Sequence, residues 1–361
     1  MVENVVRKVS FEQDLFQRIN DYFKNSNLSK KANNKMRLKI AIGLGGYFLS
    51  YLFIYFFTAG NISFLALYIF HGLFHMYLVF NIGHDANHHA ISNKSSINKV
   101  LSYVFDMCGI SSYLWRILHH DQHHYCQNVE GEDETLVARG FFRFTPYASK
   151  KWIHQFQHLY FPFVYGFLIL DWVLVKDFDY MLIKNTKLAK DIKHPAAEYF
   201  KIFAGKIYYI GWMFVLPWYL LNISFIWIIF SFLIMQFIIG LTMAMVVQVA
   251  HPIDTAAFPA HTKAYPHYVY YVLTTTSDYA AKSNIANALL GGLHLHVVHH
   301  LFPKICHTHY KQLTQIIKET ALEYGITYRE NETMWKAILG HYNLLKIFGN
   351  GPVLVQSPES Q

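Results

Sequence analysis

Two long stretches of the chain contain no Asp, Glu, Lys or Arg, and they determine the architecture that we expect. They are residues 40–83 and 207–250, each 44 residues long. Because a helix needs about 20 apolar residues to cross a bilayer, each stretch has room for two crossing helices. Small and polar residues interrupt the stretches at 58–61 and 221–224, where a tight turn fits. The pattern therefore predicts four transmembrane helices arranged as two hairpins.

The segments outside these stretches are polar and are predicted to lie on one side of the membrane. Residues 1–39 carry nine Lys and Arg against four Asp and Glu, and neither hairpin turn carries a Lys or Arg. Since Lys and Arg favour the cytosolic side, we expect residues 1–39, 84–206 and 251–361 to be cytosolic. The chain, 1–361, is then a single all-α, multi-pass membrane domain with a cytosolic helical cap.

Weaker periodic patterns predict helices inside the polar segments. An amphipathic run lies near residues 11–23, and two moderately apolar segments lie near 101–115 and 156–175. Asp, Gly or Pro interrupts the latter two, so we expect helices that lie in the interface rather than cross it. Two further helices, each closed by a glycine, are predicted at 310–324 before Gly325 and at 332–348 before Gly349.

Composition agrees with a membrane protein and narrows the classes of function. Hydrophobic residues make up 53% of the chain and charged residues 15%, below the ~25% usual in soluble proteins. The net charge of +8 does not indicate nucleic acid, because no basic stretch is interleaved with aromatic residues. The three cysteines lack CxxC spacing, which argues against a disulfide framework, an iron–sulfur site and a zinc ribbon. The charged start of the chain is unlike a cleavable signal peptide.

Histidine is the residue type in clear excess, with 22 in the chain. Four of them fall within residues 119–124. On a regular helix, His119 would stand over His123 and His120 over His124, which makes two columns about a quarter-turn apart. A helix face of this kind is suited to binding metal.

Three more histidine groups lie where the predicted spans meet the cytosol, at 84–89, at His251 and at 294–300. HxxxH and HxxHH spacings place their imidazoles on one side of a helix, so the groups can converge just below the membrane. Nine of these histidines are candidate ligands, which is more than one ion can use, and two metal ions are therefore predicted. The candidates are His84, His88, His119, His123, His124, His251, His296, His299 and His300.

Imidazole suits zinc, copper, nickel and iron, so the ligand type alone does not select the metal. The setting does narrow the choice. A cytosolic metal pair at the mouth of a membrane bundle, with no evident carboxylate nucleophile or base nearby, fits oxidation of a lipid-like substrate better than hydrolysis. Because breaking an unactivated C–H bond requires a redox metal and dioxygen, we expect two iron ions.

The order of the histidine motifs resembles the membrane fatty acid desaturase family, with the greatest likeness to bacterial acyl desaturases of the linoleoyl and front-end types. The motifs are HDANH at 84–88, W-x-x-x-H-x-x-x-HH at 115–124 and HxxHH at 296–300, followed by Leu-Phe-Pro. The likeness extends over roughly residues 80–350. Other similar segments lie at 128–131, 154–158, 248–251, 291–293 and 306–310.

This resemblance implies an O2-dependent enzyme that removes two hydrogens from a fatty acyl chain at a di-iron centre ligated by histidines. Electrons would arrive singly from a separate protein such as ferredoxin or cytochrome b5, because the chain has no fused cytochrome b5 signature. The acyl group would be linked to CoA, a carrier protein or a membrane lipid. The resemblance assigns no catalytic residue beyond the metal ligands and no residue that binds another cofactor.

Some ligand assignments stay open at this stage. Alignment to relatives makes His119 a ligand, whereas analogy with the motif at 296–300 would choose His120. His89 and His294 stand where relatives have other residues, and we assign them to the surroundings of the metals or to the surface.

Two alternative functions also stay open. A site of this kind could hydroxylate, epoxidise or acetylenate an acyl chain, because the first hydrogen abstraction is common to these reactions. From a different class, a membrane electron-transfer protein with b-type haem is suggested by the pair His71 and His75 in the second predicted span. We expect that pair to be a buried, hydrogen-bonded one instead, because it lies out of phase with His84.

Overall fold

The computed structural model describes residues 10–137, 139–182, 192–261, 265 and 267–354. Of the predicted N-terminal arm, residues 1–9 lie outside the described residues. The described chain is mostly helical. Its α-helices, in chain order, are α1 (Phe11–Asn25), α2 (Asn34–Phe57), α3 (Asn61–Asn87), α4 (Ser95–Ser102), α5 (Val104–Met107), α6 (Ser112–Arg116), α7 (Gln157–Tyr165), α8 (Leu168–Asp171), α9 (Asp177–Leu182), α10 (Ala196–Ile210), α11 (Leu216–Leu220), α12 (Phe225–Gln248), α13 (Tyr268–Thr275), α14 (Asn284–Leu289), α15 (His296–Leu301), α16 (Tyr310–Glu323) and α17 (Met334–Asn350).

Several helices contain or adjoin irregular turns. The π-helical turns are Val79–Gly83 within α3, Ile117–Asp121, Trp172–Lys176 and Gly211–Val215. The 3-10 turns are Glu134–Leu136, Trp152–Phe156 and His307–His309. Two short strands, β1 (Asp278–Tyr279) and β2 (Glu330–Asn331), pair in parallel with Asp278 opposite Glu330.

The N-terminal helix α1 forms where the amphipathic run predicts it. Ser10 caps the helix, because its hydroxyl accepts a hydrogen bond from the Gln13 backbone while the Gln13 side chain accepts one from the Ser10 backbone. The apolar side chains of α1 recur every four residues, are buried and pack against α16. Arg18 forms a two-pronged ion pair with Glu323 of α16, with both bonds at 2.7 Å. The N-terminal arm is therefore fastened to the C-terminal part of the chain.

Three described helices are long and apolar enough to cross a membrane, namely α2, α3 and α12. α2 and α3 are joined by residues 58–60 and pack side by side, and α3 also packs along α12. Small residues allow this close approach, because a Cβ at Gly46 would meet the Phe74 ring and a Cβ at Gly72 would meet Met235. These helices, which form the bulk of the apolar core, indicate a membrane protein.

The rest of the predicted span pattern differs from the structure. The segment predicted at 156–175 lies in two helical arms, Trp152–Tyr165 and Leu168–Leu182, which are bent by 70° and together are long and apolar enough for a fourth, broken span. The third predicted span begins earlier than expected, at Ala196, and passes through a π turn to Leu220. Among the described helices it does not reach the length and apolarity of a crossing helix. The four-span, two-hairpin topology therefore stays a prediction.

Lys206 shows why α10 is less apolar than its neighbours. Its Nζ donates hydrogen bonds to Asp177 Oδ2, Gly109 O and Val173 O, each at 2.7 Å. A lysine in an apolar bundle needs partners of this kind, since an unpaired charge there is costly. One face of α10 is therefore committed to polar contacts with α9 and with the turn between α5 and α6.

The C-terminal helices lie close to their predicted positions. α16 is followed by Gly325 with φ of +68°, a left-handed conformation that glycine adopts readily. α17 runs two residues beyond its predicted end at 348. The predicted helix at 101–115 is instead divided into α5 and α6, because Gly109 takes a positive φ of +81° between them.

Two large apolar clusters meet at the segment that carries the third histidine motif. One cluster lies among α2, α3 and α10–α12, and the other among α1, α13, α15 and α16. Leu293 and Cys306 belong to the first cluster, whereas Leu295 and Leu301 belong to the second. The motif at 296–300 is thus held at the boundary between the membrane helices and the N- and C-terminal helices.

Candidate metal centre

The first two histidine motifs adjoin π-helical turns. Val79–Gly83 ends immediately before His84, and Ile117–Asp121 contains His119. A π turn inserts an extra residue and rotates the side chains that follow, and such turns are frequent at functional sites. Of the two columns expected for residues 119–124, the His119 and His123 rings do stack, with centroids 5.3 Å apart, but these two residues enter different groups. The His120 and His124 rings are nearly perpendicular, with centroids 6.3 Å apart.

The first group contains histidines from all three motifs: His84, His88, His119 and His299. A ring nitrogen of each lies within 4.8 Å of a ring nitrogen of every other. The ring centroids of His84 and His299 are 4.5 Å apart, and those of His88 and His119 are 5.1 Å apart. His119 is partly buried and the others are buried. Four imidazoles at this spacing can surround one metal ion.

The second group contains His123, His251, His296 and His300, all buried, with the same 4.8 Å limit between ring nitrogens. In each of them Nδ1 faces a protein group, which leaves Nε2 for the interior of the group. Partners of this kind fix the orientation of a metal-binding imidazole. The Nδ1 contacts are Asp133 Oδ1 at 3.0 Å for His123, Thr275 O at 3.2 Å for His251, Leu293 O at 2.8 Å for His296 and the Gln127 amide nitrogen at 2.6 Å for His300.

His124 lies between the two groups. Its Nε2 is 3.1 Å from His119 Nε2 and 3.1 Å from His299 Nε2, both in the first group. Its ring centroid is 4.4 Å from that of His300 in the second group. The structure therefore brings all nine predicted histidines into one continuous cluster.

Several buried ring nitrogens in this cluster have no hydrogen-bond partner within the described part of the chain. A buried polar atom left in that condition costs about 1–3 kcal/mol unless a ligand satisfies it. Two convergent sets of such nitrogens fit two metal ions. The atoms are Nδ1 and Nε2 of His84, Nε2 of His88, Nε2 of His123, Nε2 of His296 and Nδ1 of His299.

Burial favours the neutral form of His119, His251, His296 and His300. It lowers the pKa of His296 to about 3, and it lowers the pKa values of His119, His251 and His300 well below the ordinary range, with neighbouring histidines adding to the effect. A neutral imidazole has the free lone pair that a metal ion requires. The cluster can therefore bind metal at neutral pH without first releasing protons.

Three neighbouring histidines that are not among the nine candidate ligands lie outside both groups, namely His89, His120 and His294. His120 is partly exposed, although its ring centroid is only 4.4 Å from that of His88. His89 is exposed. His294 is buried, and neither of its ring nitrogens has a partner among the described residues. All three surround the candidate metal groups.

Asp133 is a supporting residue that the sequence did not reveal. Asp133 belongs to an acidic run at 130–134, a composition typical of a solvated loop, but its side chain is completely buried. Its Oδ1 lies 3.0 Å from His123 Nδ1, and its Oδ2 accepts a hydrogen bond from the Asn128 backbone N–H at 2.9 Å. The available signal was an acidic run directly after a histidine motif, but its spacing does not tell which carboxylate turns inward.

A second buried carboxylate connects the first histidine motif to the C-terminal part. Asp85 Oδ2 accepts a hydrogen bond from the His307 backbone N–H at 3.1 Å and lies 2.9 Å from His307 Nδ1. Lys39 Nζ lies 3.1 Å from His307 Nε2. Asp85, Cys306 and His307 are close enough to resemble a third metal group, but both His307 nitrogens already contact protein groups. This cluster links α2 and α3 to residues 306–309.

An apolar cavity of about 290 Å³ reaches the histidine cluster. His84, His119 and His296 form part of its wall, and most of its other lining residues are aromatic or aliphatic. Arg139 marks its exposed rim, where it forms an ion pair with Asp171 at 2.6 Å. An apolar slot with a charged rim and imidazoles in its wall can hold a hydrocarbon chain beside the candidate metal groups.

His71 and His75 form a separate buried pair within α3. Their Nε2 atoms are 3.2 Å apart, as in a hydrogen-bonded pair. Ser50 Oγ lies 2.9 Å from His71 Nδ1, and the Trp212 indole N–H donates to His71 Nε2 at 3.3 Å. These contacts agree with the expectation of a hydrogen-bonded histidine pair inside a helical bundle.

Comparison with known proteins gives a consistent family match. A sequence model described as fatty acid desaturase matches residues 59–332. The chain is 31% identical over 354 residues to an sn-1 linoleoyl-lipid 6-desaturase of Synechocystis, covering 95% of this chain and 96% of that protein. It is 30% identical over 337 residues to an acyl-lipid (8-3)-desaturase of Physcomitrium patens, covering 92% and 70%. It is also 29% identical over 351 residues to an sn-1 linoleoyl-lipid 6-desaturase of Arthrospira platensis, covering 96% and 94%.

Proposed function

The chain belongs to the fatty acid desaturase family, and from this premise we propose that it forms a double bond in an acyl chain at two histidine-bound iron ions. It is an enzyme, a fatty acyl desaturase and hence an oxidoreductase. Dioxygen serves as the oxidant and a separate protein supplies electrons. The acyl chain is part of a membrane lipid, because the relatives described above are named for acyl-lipid and linoleoyl-lipid substrates.

The observation that carries this proposal is the convergence of nine histidines from distant parts of the chain into two groups. His84, His88, His119 and His299 hold one ion, and His123, His251, His296 and His300 hold the other. His124 touches both groups and completes the set as a ligand. Purely histidine donors without a carboxylate in either group agree with a redox metal rather than magnesium or calcium.

Iron at these positions would supply the chemistry with dioxygen that breaks an unactivated C–H bond. The histidines would bind and orient it, and in the second group the buried partners of the Nδ1 atoms keep the rings fixed. None of the nine is assigned a role as proton donor. No further residue is assigned a catalytic role.

The apolar cavity gives the acyl chain a defined place beside the metals. Because His84, His119 and His296 form part of its wall, methylene groups in the cavity lie against both candidate metal groups. Apolar walls exclude water from this space, which favours reaction with the bound chain. The rim charges at Arg139 and Asp171 keep the polar end of the lipid outside.

The membrane arrangement follows from the same premise. We propose one domain that comprises the whole chain, with hairpins at 40–83 and 207–250 and with the metal centre on the cytosolic face. The excess of Lys and Arg outside the hairpins supports this orientation.

Hydroxylation or acetylenation of the acyl chain is the alternative within the same chemistry, because each reaction starts with the same hydrogen abstraction. The b-type haem alternative has less support, since the His71 and His75 nitrogens face each other at hydrogen-bonding distance and leave no space for a metal between them. A purified protein with a Soret absorption band would revive it.

Expression in a host with a simple lipid profile tests the proposed function. Fatty acid analysis by mass spectrometry should reveal a new acyl product that is two mass units lighter than its precursor, with one added double bond. The matched control is the His123→Ala variant, which we expect to give no product. A hydroxylated product, or an unchanged profile from a folded, iron-loaded protein, would overturn the proposal.

A further inference from the structure

Two adjacent histidines, His119 and His120, both lie near His88 but differ in their other surroundings. His119 belongs to the first group and lines the acyl cavity. His120 lies outside the group and the cavity lining and is partly exposed, while its ring centroid is 4.4 Å from that of His88. His120 is therefore a place where the surroundings of the candidate metals approach the surface on the side away from the acyl chain.

Cationic side chains lie close enough to His120 to act on it electrostatically, because Arg116, His89 and Lys304 each disfavour a positive charge on its ring. Lys31 completes the patch, because its Nζ donates hydrogen bonds to the backbone carbonyls of His89 at 2.7 Å and Lys304 at 3.1 Å. We name Lys31, His89, Arg116 and Lys304 the basic face.

An open groove adjoins the basic face. It has a volume of about 580 Å³, with Lys30, Lys31 and Lys304 among its lining residues. Apolar side chains, including Phe302 and Pro303, form part of the same groove. A mixed surface of apolar floor and cationic rim is typical of a protein interface. Asp121 follows His120 in the chain and is exposed, so a carboxylate also stands at this edge.

The proposed reaction requires electrons from outside the enzyme and its substrate. Removing two hydrogens from an acyl chain yields two electrons and two protons, whereas reducing one dioxygen to two waters consumes four of each. Two further electrons and two protons are therefore needed in every turnover. A one-electron carrier must deliver its electron twice.

We propose that an acidic one-electron carrier protein docks on the basic face and that electrons enter through the outer edge of His120 toward His88. This inference rests on the proposed function and names the surface on which its electron donor binds. Carboxylates of the carrier face Lys31 and Lys304, and the groove receives an apolar contact from it. Opposite charge on the two surfaces raises the rate of encounter, and the ring contact between His120 and His88 provides a bridge to the first group.

Anionic lipid head groups could also meet these cations. The position of His120 favours a redox protein, because a lipid gains nothing from contact with the edge of the metal centre. The groove favours it too, since its apolar floor is lined by α1 and by residues 301–305 rather than by the membrane helices.

The test uses the full-length protein in nanodiscs of phosphatidylcholine, with and without bound iron. The probes are two acidic carriers, a plant-type [2Fe–2S] ferredoxin and the soluble domain of cytochrome b5, and one basic carrier, cytochrome c. Variants Lys304→Gln and Lys304→Glu remove and reverse an exposed charge of the basic face. Lys282→Glu is the matched control, because Lys282 is an exposed lysine beside β1, near Glu332 rather than the basic face.

We expect acidic carriers to bind the metal-free and iron-loaded protein, with affinity that falls as salt rises. Lys304→Gln should weaken binding by about threefold and Lys304→Glu by about tenfold at low salt, mainly through slower association. Lys282→Glu should match the parent. Stopped-flow reduction of the iron-loaded protein should slow by the same factors, whereas reduction by dithionite should not change.

Equal binding of all three carriers, or unchanged binding of the acidic carriers by Lys304→Glu, would overturn the docking proposal. If Lys304→Glu instead changes how strongly the protein is retained in phosphatidylglycerol nanodiscs and leaves carrier binding unchanged, the basic face binds lipid and the proposal is wrong. Failure of the proposed function has a different signature: no desaturated product would form when the iron-loaded protein is reduced with dithionite, freed of excess reductant and then exposed to dioxygen and substrate.

Discussion

His123 Nδ1 and Asp133 Oδ1 lie 3.0 Å apart, and both side chains are completely buried. The carboxylate contacts His123 Nδ1 and leaves His123 Nε2 for the second histidine group. Among the described residues, His123 Nε2 has no hydrogen-bond partner. A carboxylate in this position raises the basicity of a metal-binding imidazole. Asp133 should therefore affect metal binding even though it contacts no metal.

The Asp133→Asn variant should weaken metal binding by about 10- to 100-fold, because the neutral amide cannot hold the imidazole as the carboxylate does. Competition with a chelator of known iron affinity measures the effect. Glu132→Gln is the control, since Glu132 is an exposed neighbour in the same acidic run. Equal iron retention by a folded Asp133→Asn variant and the parent would show that Asp133 does not support the metal centre.

Replacing His119 and His120 one at a time distinguishes the two ligand assignments that the sequence left open. We expect His119→Ala to lose one iron and all desaturation, because His119 belongs to the first group. His120→Ala should retain both irons, because His120 lies outside the groups. Elemental analysis of the two purified variants measures this difference. Loss of iron from His120→Ala with retention by His119→Ala would reverse the assignment.

Filling the apolar cavity should block the substrate without removing the metal. Ala244 is buried and lies in the cavity wall on α12. An Ala244→Phe side chain would occupy the space of several methylene groups, so we expect at least a tenfold loss of product with both irons retained; overpacking costs about 1–3 kcal/mol of stability. Ala204→Phe, at an exposed alanine of α10, is the control. An unchanged product yield in Ala244→Phe would show that this cavity is not the acyl-binding site.

The stability of the metal-free protein should fall as the pH is lowered. Burial lowers the pKa of His341 to about 4, compared with about 6.5 for an unfolded histidine. Between these values the unfolded chain binds more protons than the folded one, so the free energy of unfolding decreases as pH falls through about 6.5 toward 4. Asp278 opposes this, since burial raises its pKa to about 7 and the folded state keeps that proton.

The buried histidines of the metal centre act in the same direction as His341 and outnumber Asp278. Each such histidine contributes up to about 1.4 kcal/mol per pH unit within its window. We therefore expect a lower thermal midpoint for the metal-free protein at pH 5.5 than at pH 7.5. His341→Gln should reduce the difference. A midpoint that stays constant or rises on acidification would contradict the assignment of neutral, buried imidazoles.

The parts of the fold that the sequence predicted well depend on local spacing. The amphipathic run at 11–23, the helix closed by Gly325 and the grouping of histidines within each motif all follow from residues three or four positions apart. The apolar length of α2 and α3 was equally visible. Each of these features can form from its own segment and needs little information from the rest of the chain.

The features that the sequence missed depend on contacts between distant segments. The π turn at Ile117–Asp121 contains His119, which enters a different group from His123, and no periodic pattern predicts this turn. Lys206 lies in a buried polar junction with Asp177, which changes the character of the third predicted span. Asp133 is buried because it contacts His123 Nδ1 and accepts a hydrogen bond from the Asn128 backbone. Its neighbour Glu134 is also buried, whereas Glu132 is exposed.

The most direct measurement is the metal content of the protein, purified from iron-supplied cells and analysed by mass spectrometry of the elements. We predict two iron ions per chain, with one lost from His84→Ala and one from His251→Ala, since these histidines belong to different groups. A folded parent protein that contains zinc in place of iron, or a single metal ion that is lost from both variants, would rule out a di-iron centre.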